Sequence, residues 1–573
     1  MTHAPILWVN NLSVTILARS ETVRAVENAT FAVRPGQTLA LVGESGSGKT
    51  MTAMSLVGLA PAGTEVQTSG TAKFMGRDLL TLSEEDMRQV RGRQIGVVFQ
   101  EPSASLNPLM TVGSQILEAL GHGHSRRSAR DRVEALLDEV GLSGISGIFR
   151  RYPHELSGGQ QQRIAIAIAL ASDPKLIIAD EPTTALDMTV QAQILDLLQR
   201  VSESRQMAML LITHDLGIVA DMADDVLVMR KGQVVEQGPT MKVLSRPGTD
   251  YTRELLASRP RIDLRPSTTD PEPAAGGTGD GQQARQSILS VRELTVAYSG
   301  RGLLSRPVTA VDRVSFDVPH QGTVGLVGES GSGKSTIAKA IVGLVRMSSG
   351  SILFDGAPLS DPTRMTRAQR ARLQYIFQDS YGALNPRLTV EQAIGEAFAV
   401  LGHPRRDRRG KVLSLLDEVG LSAGHLERYP SELSGGQRQR VTIARALALS
   451  PEVLICDEIV SALDVSVQAQ VLKLLRTIQA ERDLSMIFIS HDLAVVSEIC
   501  NRVIVLQAGR IVEEGAVDDI FDRPVHPYTN KLLAAGRELE ARLPNPVHSG
   551  VAGQPAHMLS GYKQGSELQR MMD

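Results

Sequence analysis

The 573-residue sequence predicts an α/β protein of two tandem copies of one domain, each built on a parallel sheet. Three observations predict it. In each half a short apolar run ends in a glycine-rich loop and continues into a helix-like stretch. Behind both loops the same motifs recur in the same order. Further apolar runs end in chemistry-bearing residues, as parallel strands do when their C-terminal ends converge on one crevice.

The loops are Gly43-Glu44-Ser45-Gly46-Ser47-Gly48-Lys49-Thr50 and Gly328-Glu329-Ser330-Gly331-Ser332-Gly333-Lys334-Ser335. Both fit G-x-x-x-x-G-K-[ST], in which glycines let backbone N–H groups turn toward phosphate oxygens, a lysine neutralises charge and a hydroxyl ligates magnesium. Thr38 to Val42 and Val324 to Val327 read as the strands before them, with helices over Met51 to Leu59 and Thr336 to Leu344. Leu176 to Ala179 and Val453 to Cys456 read as buried strands ending in Asp-Glu, and Met209 to Ile212 and Met486 to Ile489 as strands ending before His. Between them, Val133, Leu136, Leu137 and Val140, matched by Val412, Leu415, Leu416 and Val419, form one apolar helical stripe per half. They predict a small helical subdomain inserted into each core.

The repeat is close. The loops lie 285 residues apart, Gln100 and Gln378 lie 278 apart, and everything from Ser157 and Ser434 to His214 and His491 is offset by 277. Such register means duplication and one shared fold. Residues 1–258 and 287–540 are expected to be the two domains. Residues 259–286, rich in Pro and Gly, read as a flexible tether, and 541–573 as a C-terminal extension.

Composition narrows the function. A net charge of -3 and a pI near 6.5 argue against generic nucleic-acid binding. Cys456 and Cys500 are the only cysteines, too few for a disulfide framework or a Cys-ligated metal cluster within one chain. No apolar run approaches the roughly 18 residues of a membrane span, and the N-terminus lacks signal-peptide character, so a non-spanning chain in a reducing cytoplasm is expected.

Phosphoryl transfer to water needs charge neutralisation, a metal and a group that orients or deprotonates the water. Both halves carry the full set. Lys49 and Lys334 would contact the β- and γ-phosphates of ATP, while Thr50 and Ser335 would ligate Mg²⁺. Asp180 and Asp457 would hold the metal or its waters, with Glu181 and Glu458 placed to act as base. His214 and His491 would meet the γ-phosphate, and Gln100 and Gln378 would serve as metal or water ligands. Standing alone, an Asp-Glu pair reads as a strand-end turn, and a His or Gln after a strand as a structural hydrogen-bonder. Two ordered sets outweigh those readings.

Leu156-Ser157-Gly158-Gly159-Gln160 and Leu433-Ser434-Gly435-Gly436-Gln437 resemble the signature of ABC-type ATPases. The resemblance implies two P-loop nucleotide-binding domains, each with a helical subdomain and an antiparallel β subdomain, facing head to tail as an intrachain pseudo-dimer. Lys49, Glu181 and His214 would then share one nucleotide with Ser434 and Gly436, and Lys334, Glu458 and His491 another with Ser157 and Gly159. Asp187 and Asp464 would couple the sites. In the family an aromatic upstream of the loop stacks on adenine: Tyr298 fits, but the first half has Ile16. Gln161, Ile168 and Pro182 stand where the second half has Arg438, Arg445 and Ile459, and none of these changes removes a catalytic group. Two competent sites of unequal affinity are expected.

The Glu101 to Pro108 and Asp379 to Pro386 segments, with Arg523-Pro524-Val525-His526-Pro527-Tyr528-Thr529 and its weaker echo Arg246 to Thr252, resemble the peptide/nickel (oligopeptide and dipeptide permease) importer ATPases. This resemblance covers both halves almost end to end and implies ATP-driven import of peptides or related small solutes. The partners would be two transmembrane permease subunits, gripped by Gln100 to Thr111 and Gln378 to Thr389, and an extracytoplasmic binding protein. The chain would sit peripherally on the cytoplasmic face of the inner membrane, without the iron-sulfur cluster some relatives carry. The basic run Arg405 to Lys411 reads as a solvated helix end rather than a lipid contact. The alternative is a soluble tandem ATPase acting on ribosomes or nucleic acid, but the sequence shows neither the charged helical linker of ribosome-acting members nor the zinc-binding cysteines or long coiled coils of DNA-repair members.

Overall fold

The computed structural model describes residues 4–17, 22–61, 63–121, 125–183, 186–258, 287–298, 307–359, 362–461 and 463–541. The expected tether, 259–286, and the extension beyond 541 lie outside the described residues.

In the first half a six-stranded sheet runs in the order Gln233–Pro239, Asp225–Arg230, Thr38–Val42, Ala208–Ile212, Leu176–Asp180, Ile95–Val98. All neighbours are parallel except the Asp225–Arg230 and Gln233–Pro239 hairpin. Side-chain alternation explains the layering. Leu176, Ile178, Leu210 and Ile212 pack into one core, while Ile177, Ala179, Met209 and Leu211 pack into another on the opposite face. A strand buried on both faces therefore reads as an unbroken apolar run. The first core lies beneath an antiparallel sheet of Thr22–Val33, Leu7–Leu17, Glu65–Phe74 and Arg77–Asp78. The second joins the helices Val112–Leu120, Arg126–Glu139 and Gly158–Leu170.

The second half repeats this plan. Its main sheet runs Leu373–Ile376, Val453–Asp457, Ser485–Ile489, Thr323–Val327, Arg502–Gln507, Arg510–Ala516, with Val308–Pro319, Ser287–Tyr298, Ser349–Phe354 and Ala357–Pro358 as the antiparallel sheet. Val133, Leu136, Leu137 and Val140, and their four counterparts, are all buried as the stripe predicts. Gly141 and Gly420, at φ of 72° and 71°, stop the helices that carry them. The basic run opens the Arg405–Glu418 helix, where Arg409 pairs with Glu391 at 2.6 Å and Arg408 donates to the His403 carbonyl at 2.9 Å.

One expectation shifts. The helices after the phosphate loops span Lys49–Leu56 and Lys334–Ile341, not the segments beginning at Met51 and Thr336. Gly48 and Gly333 cap them at φ of 102° and 105°, so each helix starts at the lysine itself. At the other end Gly58 and Gly343 adopt left-handed φ and stop the apolar pattern short.

The two halves touch. The last helix, Pro527–Ala541, packs against Met188–Arg205 and Leu216–Met222 of the first half as well as its own Leu493–Ile499. Among the described residues no helix is long and apolar enough to cross a membrane.

Candidate active site

Each phosphate loop is built where only glycine fits. A Cβ on Gly43 would lie 2.1 Å from the Met229 carbonyl oxygen and one on Gly48 2.4 Å from that of Ala25, both at positive φ. The loop thus folds tightly over the end of the fully buried Thr38–Val42 strand. The Lys49 ammonium donates to the Gly43 and Glu44 carbonyls at 2.7 and 3.0 Å, and Lys334 repeats this on Gly328 and Glu329 at 2.7 and 2.9 Å. Burial lowers the pKa of both lysines, against the pull of Glu181 and Asp464 on one and Glu458 and Asp457 on the other. Ser47 Oγ is buried and, among the described residues, has no hydrogen-bond partner, which suits a loop shaped for phosphate oxygens.

Thr50 Oγ1 donates to Asp180 at 3.2 Å and Ser335 Oγ to Asp457 at 2.9 Å. Hard oxygen donors in so small a number fit Mg²⁺, which keeps waters and substrate phosphates as its other ligands. No group of three or more His, Cys, Asp or Glu suited to a metal occurs among the described residues. Burial, then the charge of Glu181, pushes the Asp180 carboxyl up to about 6. Burial raises Asp457 too, and Tyr375 adds a hydrogen bond to its second oxygen.

Glu181 and Glu458 follow at φ of 46° and 50°, an uncommon conformation that turns each carboxylate out of the strand direction. Gln100 Nε2 donates to Glu181 at 2.8 Å and Gln378 Nε2 to Glu458 at 2.7 Å. His214 Nδ1 lies 3.1 Å from Glu181, and His491 Nδ1 3.7 Å from Glu458. Burial opposes a charge on each histidine, but the hydrogen bond and charge of its glutamate outweigh burial and raise the pKa. For Glu458 the balance falls the other way: burial raises, but His491 and Lys334 hold it below the ordinary carboxylate range. A carboxylate held between an amide and an imidazole, beside a phosphate loop, can order a water and accept its proton.

The Ser157 turn faces the second phosphate loop from across the molecule. Ser157 and Ser434 cap the Gly158–Leu170 and Gly435–Leu447 helices through capping boxes with Gln160 and Gln437, leaving helix N-termini that favour anions. An opening of about 500 Å³ is lined by Ser157, Gly159 and Asp187 from the first half and Lys334, Gln378, Glu458 and His491 from the second. At the other junction, the Ser45 N–H donates to the Asp464 carboxylate at 3.1 Å. Tyr298 stands half-exposed with its hydroxyl 3.4 Å from Thr336, next to the loop. Strand register places Ile16, paired with Val23, where Tyr298 pairs with Val308.

Two features escaped sequence reasoning. Tyr375 reaches Asp457 where the first half has Val97 in the corresponding strand. Tyr251 and Tyr528, noted in the sequence only as parts of a motif, touch the phosphate loops. Their 277-residue offset, shared with the catalytic motifs, was the available signal.

Comparison with known proteins follows this geometry. The ABC transporter family matches residues 26–184 and 311–461, and the oligopeptide/dipeptide transporter C-terminal region matches 235–278 and 512–559, reaching into both the expected tether and the extension. The chain is 44% identical over 556 residues to the glutathione import ATP-binding proteins GsiA of Shigella dysenteriae serotype 1 (strain Sd197) and Escherichia coli (strain K12), covering 92% of this chain and 89% of each relative. Among solved structures, the dimeric bacterial ABC transporter cassette MJ0796 is 28% identical over 41% of this chain and 98% of its own, with a TM-score of 0.37. The oligopeptide/dipeptide transporter match and the import ATP-binding relatives do not favour the ribosome or nucleic-acid alternative. With its motifs, two matching halves and near full-length relatives in agreement, the chain belongs to the ABC transporter family, as a fused pair of ATP-binding, ATP-hydrolysing importer domains of the oligopeptide/dipeptide type.

Proposed function

We propose that the chain drives import of glutathione or peptides of similar size through a membrane permease, turning over ATP at two composite sites. The observation that carries this reading is the extent of the similarity: 44% identity over 92% of the chain to glutathione import ATP-binding proteins, with both ATPase halves in one polypeptide. The halves are assigned to residues 1–258 and 287–540. Two permease subunits fed by an extracytoplasmic binding protein would supply the pathway, with the chain on the cytoplasmic face.

In each site the lysine and loop amides bind the β- and γ-phosphates. The Ser434 or Ser157 turn of the other half covers the terminal phosphate. Thr50 with Asp180, and Ser335 with Asp457, would hold Mg²⁺, which supplies Lewis-acid neutralisation of the phosphate oxygens when bound. Glu181 and Glu458 accept the proton of the attacking water, and Gln100, Gln378, His214 and His491 fix its direction. Nucleotide touching both halves favours the closed arrangement, and hydrolysis removes that preference, a ligand-driven population shift. The exposed Leu109, in the segment between Gln100 and the Val112–Leu120 helix, presents an apolar contact for a permease loop.

The test is co-purification of the chain from detergent-solubilised membranes, followed by reconstitution with the captured permease and its binding protein. Stimulation of ATP hydrolysis by glutathione or a short peptide is expected. Recovery with ribosomes, or a permease complex insensitive to both solutes, would refute the assignment.

A further inference from the structure

The Glu44 N–H of the first phosphate loop donates to the hydroxyl of Tyr251 at 3.2 Å, and the Glu329 N–H of the second donates to Tyr528 at 2.9 Å. These bonds span 207 and 199 residues, and both rings are almost fully buried, at 5% and 7% exposure. We propose that Tyr251 and Tyr528 are positioning residues: each latches the C-terminal region of its half to the phosphate loop and holds that loop in its nucleotide-binding shape. The inference rests on the reading of these loops as the ATP sites.

Each tyrosine is itself held. In the first half the Glu236 carboxylate accepts the Gly248 N–H at 2.7 Å and the Thr249 N–H at 3.2 Å, fixing the turn that starts the Asp250–Ala257 helix. In the second half Glu513 accepts Val525 N–H at 2.8 Å and His526 N–H at 3.0 Å before the Pro527–Ala541 helix. Hydrogen bonding outweighs burial and lowers the pKa of both glutamates, so these carboxylates stay ionised at neutral pH. The clamp, the helix and the tyrosine recur at one offset of 277 residues.

The latch lies next to the junction between halves. Glu44 gives its N–H to Tyr251 while the next residue, Ser45, gives its own to Asp464 of the other half. Fixing the first amide aims the second. In the other half Tyr528 sits on the helix that crosses to Met188–Arg205 and Leu216–Met222, so the shape of its loop is tied to that crossing. The latches are not identical: the Arg230 guanidinium lies 4.5 Å from the Tyr251 ring centre, and the residue that ends the corresponding strand of the second half is Gln507.

The experiment uses the full chain with Tyr251→Phe and Tyr528→Phe, which keep the buried ring and delete only the hydroxyl. Equilibrium binding of a fluorescent ATP analogue, ATPase kinetics and melting without nucleotide are measured together. Loss of one neutral hydrogen bond predicts a three- to ten-fold rise in Kd, roughly, with the loss falling on KM rather than kcat and melting little changed. Glu236→Gln, remote from the loop, is expected to move Kd in the same direction by less. An unchanged Kd in both Phe variants, or an affinity loss that merely tracks a lowered melting temperature, overturns the latch. A wild-type chain that binds no nucleotide defeats the site reading instead, so the two failures are told apart.

Discussion

Replacing Glu181 and Glu458 by Gln, separately and together, tests whether both halves hydrolyse ATP. The change is isosteric. At residue 181 the amide can keep the 2.8 Å contact from Gln100 and the 3.1 Å contact to His214 while losing the charge that accepts a proton. Removing a positioned general base costs on the order of 10²- to 10⁴-fold at the affected site. With two competent sites each single variant should retain about half the wild-type turnover or less, and the double variant about 1% or less by that same factor. Folding should hardly suffer: the lost charge assistance is worth about 1 kcal/mol, and is partly offset by relief of the repulsion that Glu181 exerts on Asp180. Steady-state phosphate release with excess ATP, paired with melting curves, gives both numbers. If either single variant keeps full turnover while the other loses it all, only one site fires and the expectation of two is wrong.

The pH profile of the nucleotide-free, metal-free chain carries a specific component from Asp180, whose folded pKa is pushed up to about 6. Between the unfolded carboxylate value near 4 and that point the folded state binds the extra proton, so this component of stability is full at low pH and lost as pH rises through about 6. At 1.36 kcal/mol per pKa unit it amounts to at most about 3 kcal/mol, and Asp180→Asn should therefore gain on wild type between pH 4 and 6 and level off above. Denaturant melts at several pH values would show it, and a constant difference would contradict it. Gly43→Ala would drive a Cβ to 2.1 Å from the Met229 carbonyl at a φ of 149°, so nucleotide binding at the first loop should be abolished at a stability cost of about 1–3 kcal/mol. Tyr298→Ala should weaken the second site alone, by roughly ten-fold if adenine stacks there at 1–3 kcal/mol, leaving two sites of similar affinity in a titration.

The sequence by itself determined the duplication, the strand-loop-helix unit around each phosphate loop, the buried strands behind it, and most of the candidate polar groups gathered beside each loop. Those features are local. Gly43 and Gly48 are written into the loop because no other residue adopts its φ there, and Leu176 to Ala179 is apolar throughout because both faces of its strand are covered. Helix starts were less legible: a periodic apolar pattern places Met51 well, but the left-handed Gly48 cap sets the first turn at Lys49. Only the tertiary structure decided which groups meet across long stretches of chain. That Ser45 faces Asp464, that Glu44 leans on Tyr251, and that Tyr375 but not Val97 reaches the aspartate ending its neighbouring strand depend on how separate surfaces pack. A repeat in a sequence announces two like domains, but the facing of one against the other is a property of their joined surfaces, and no local pattern of residues encodes it.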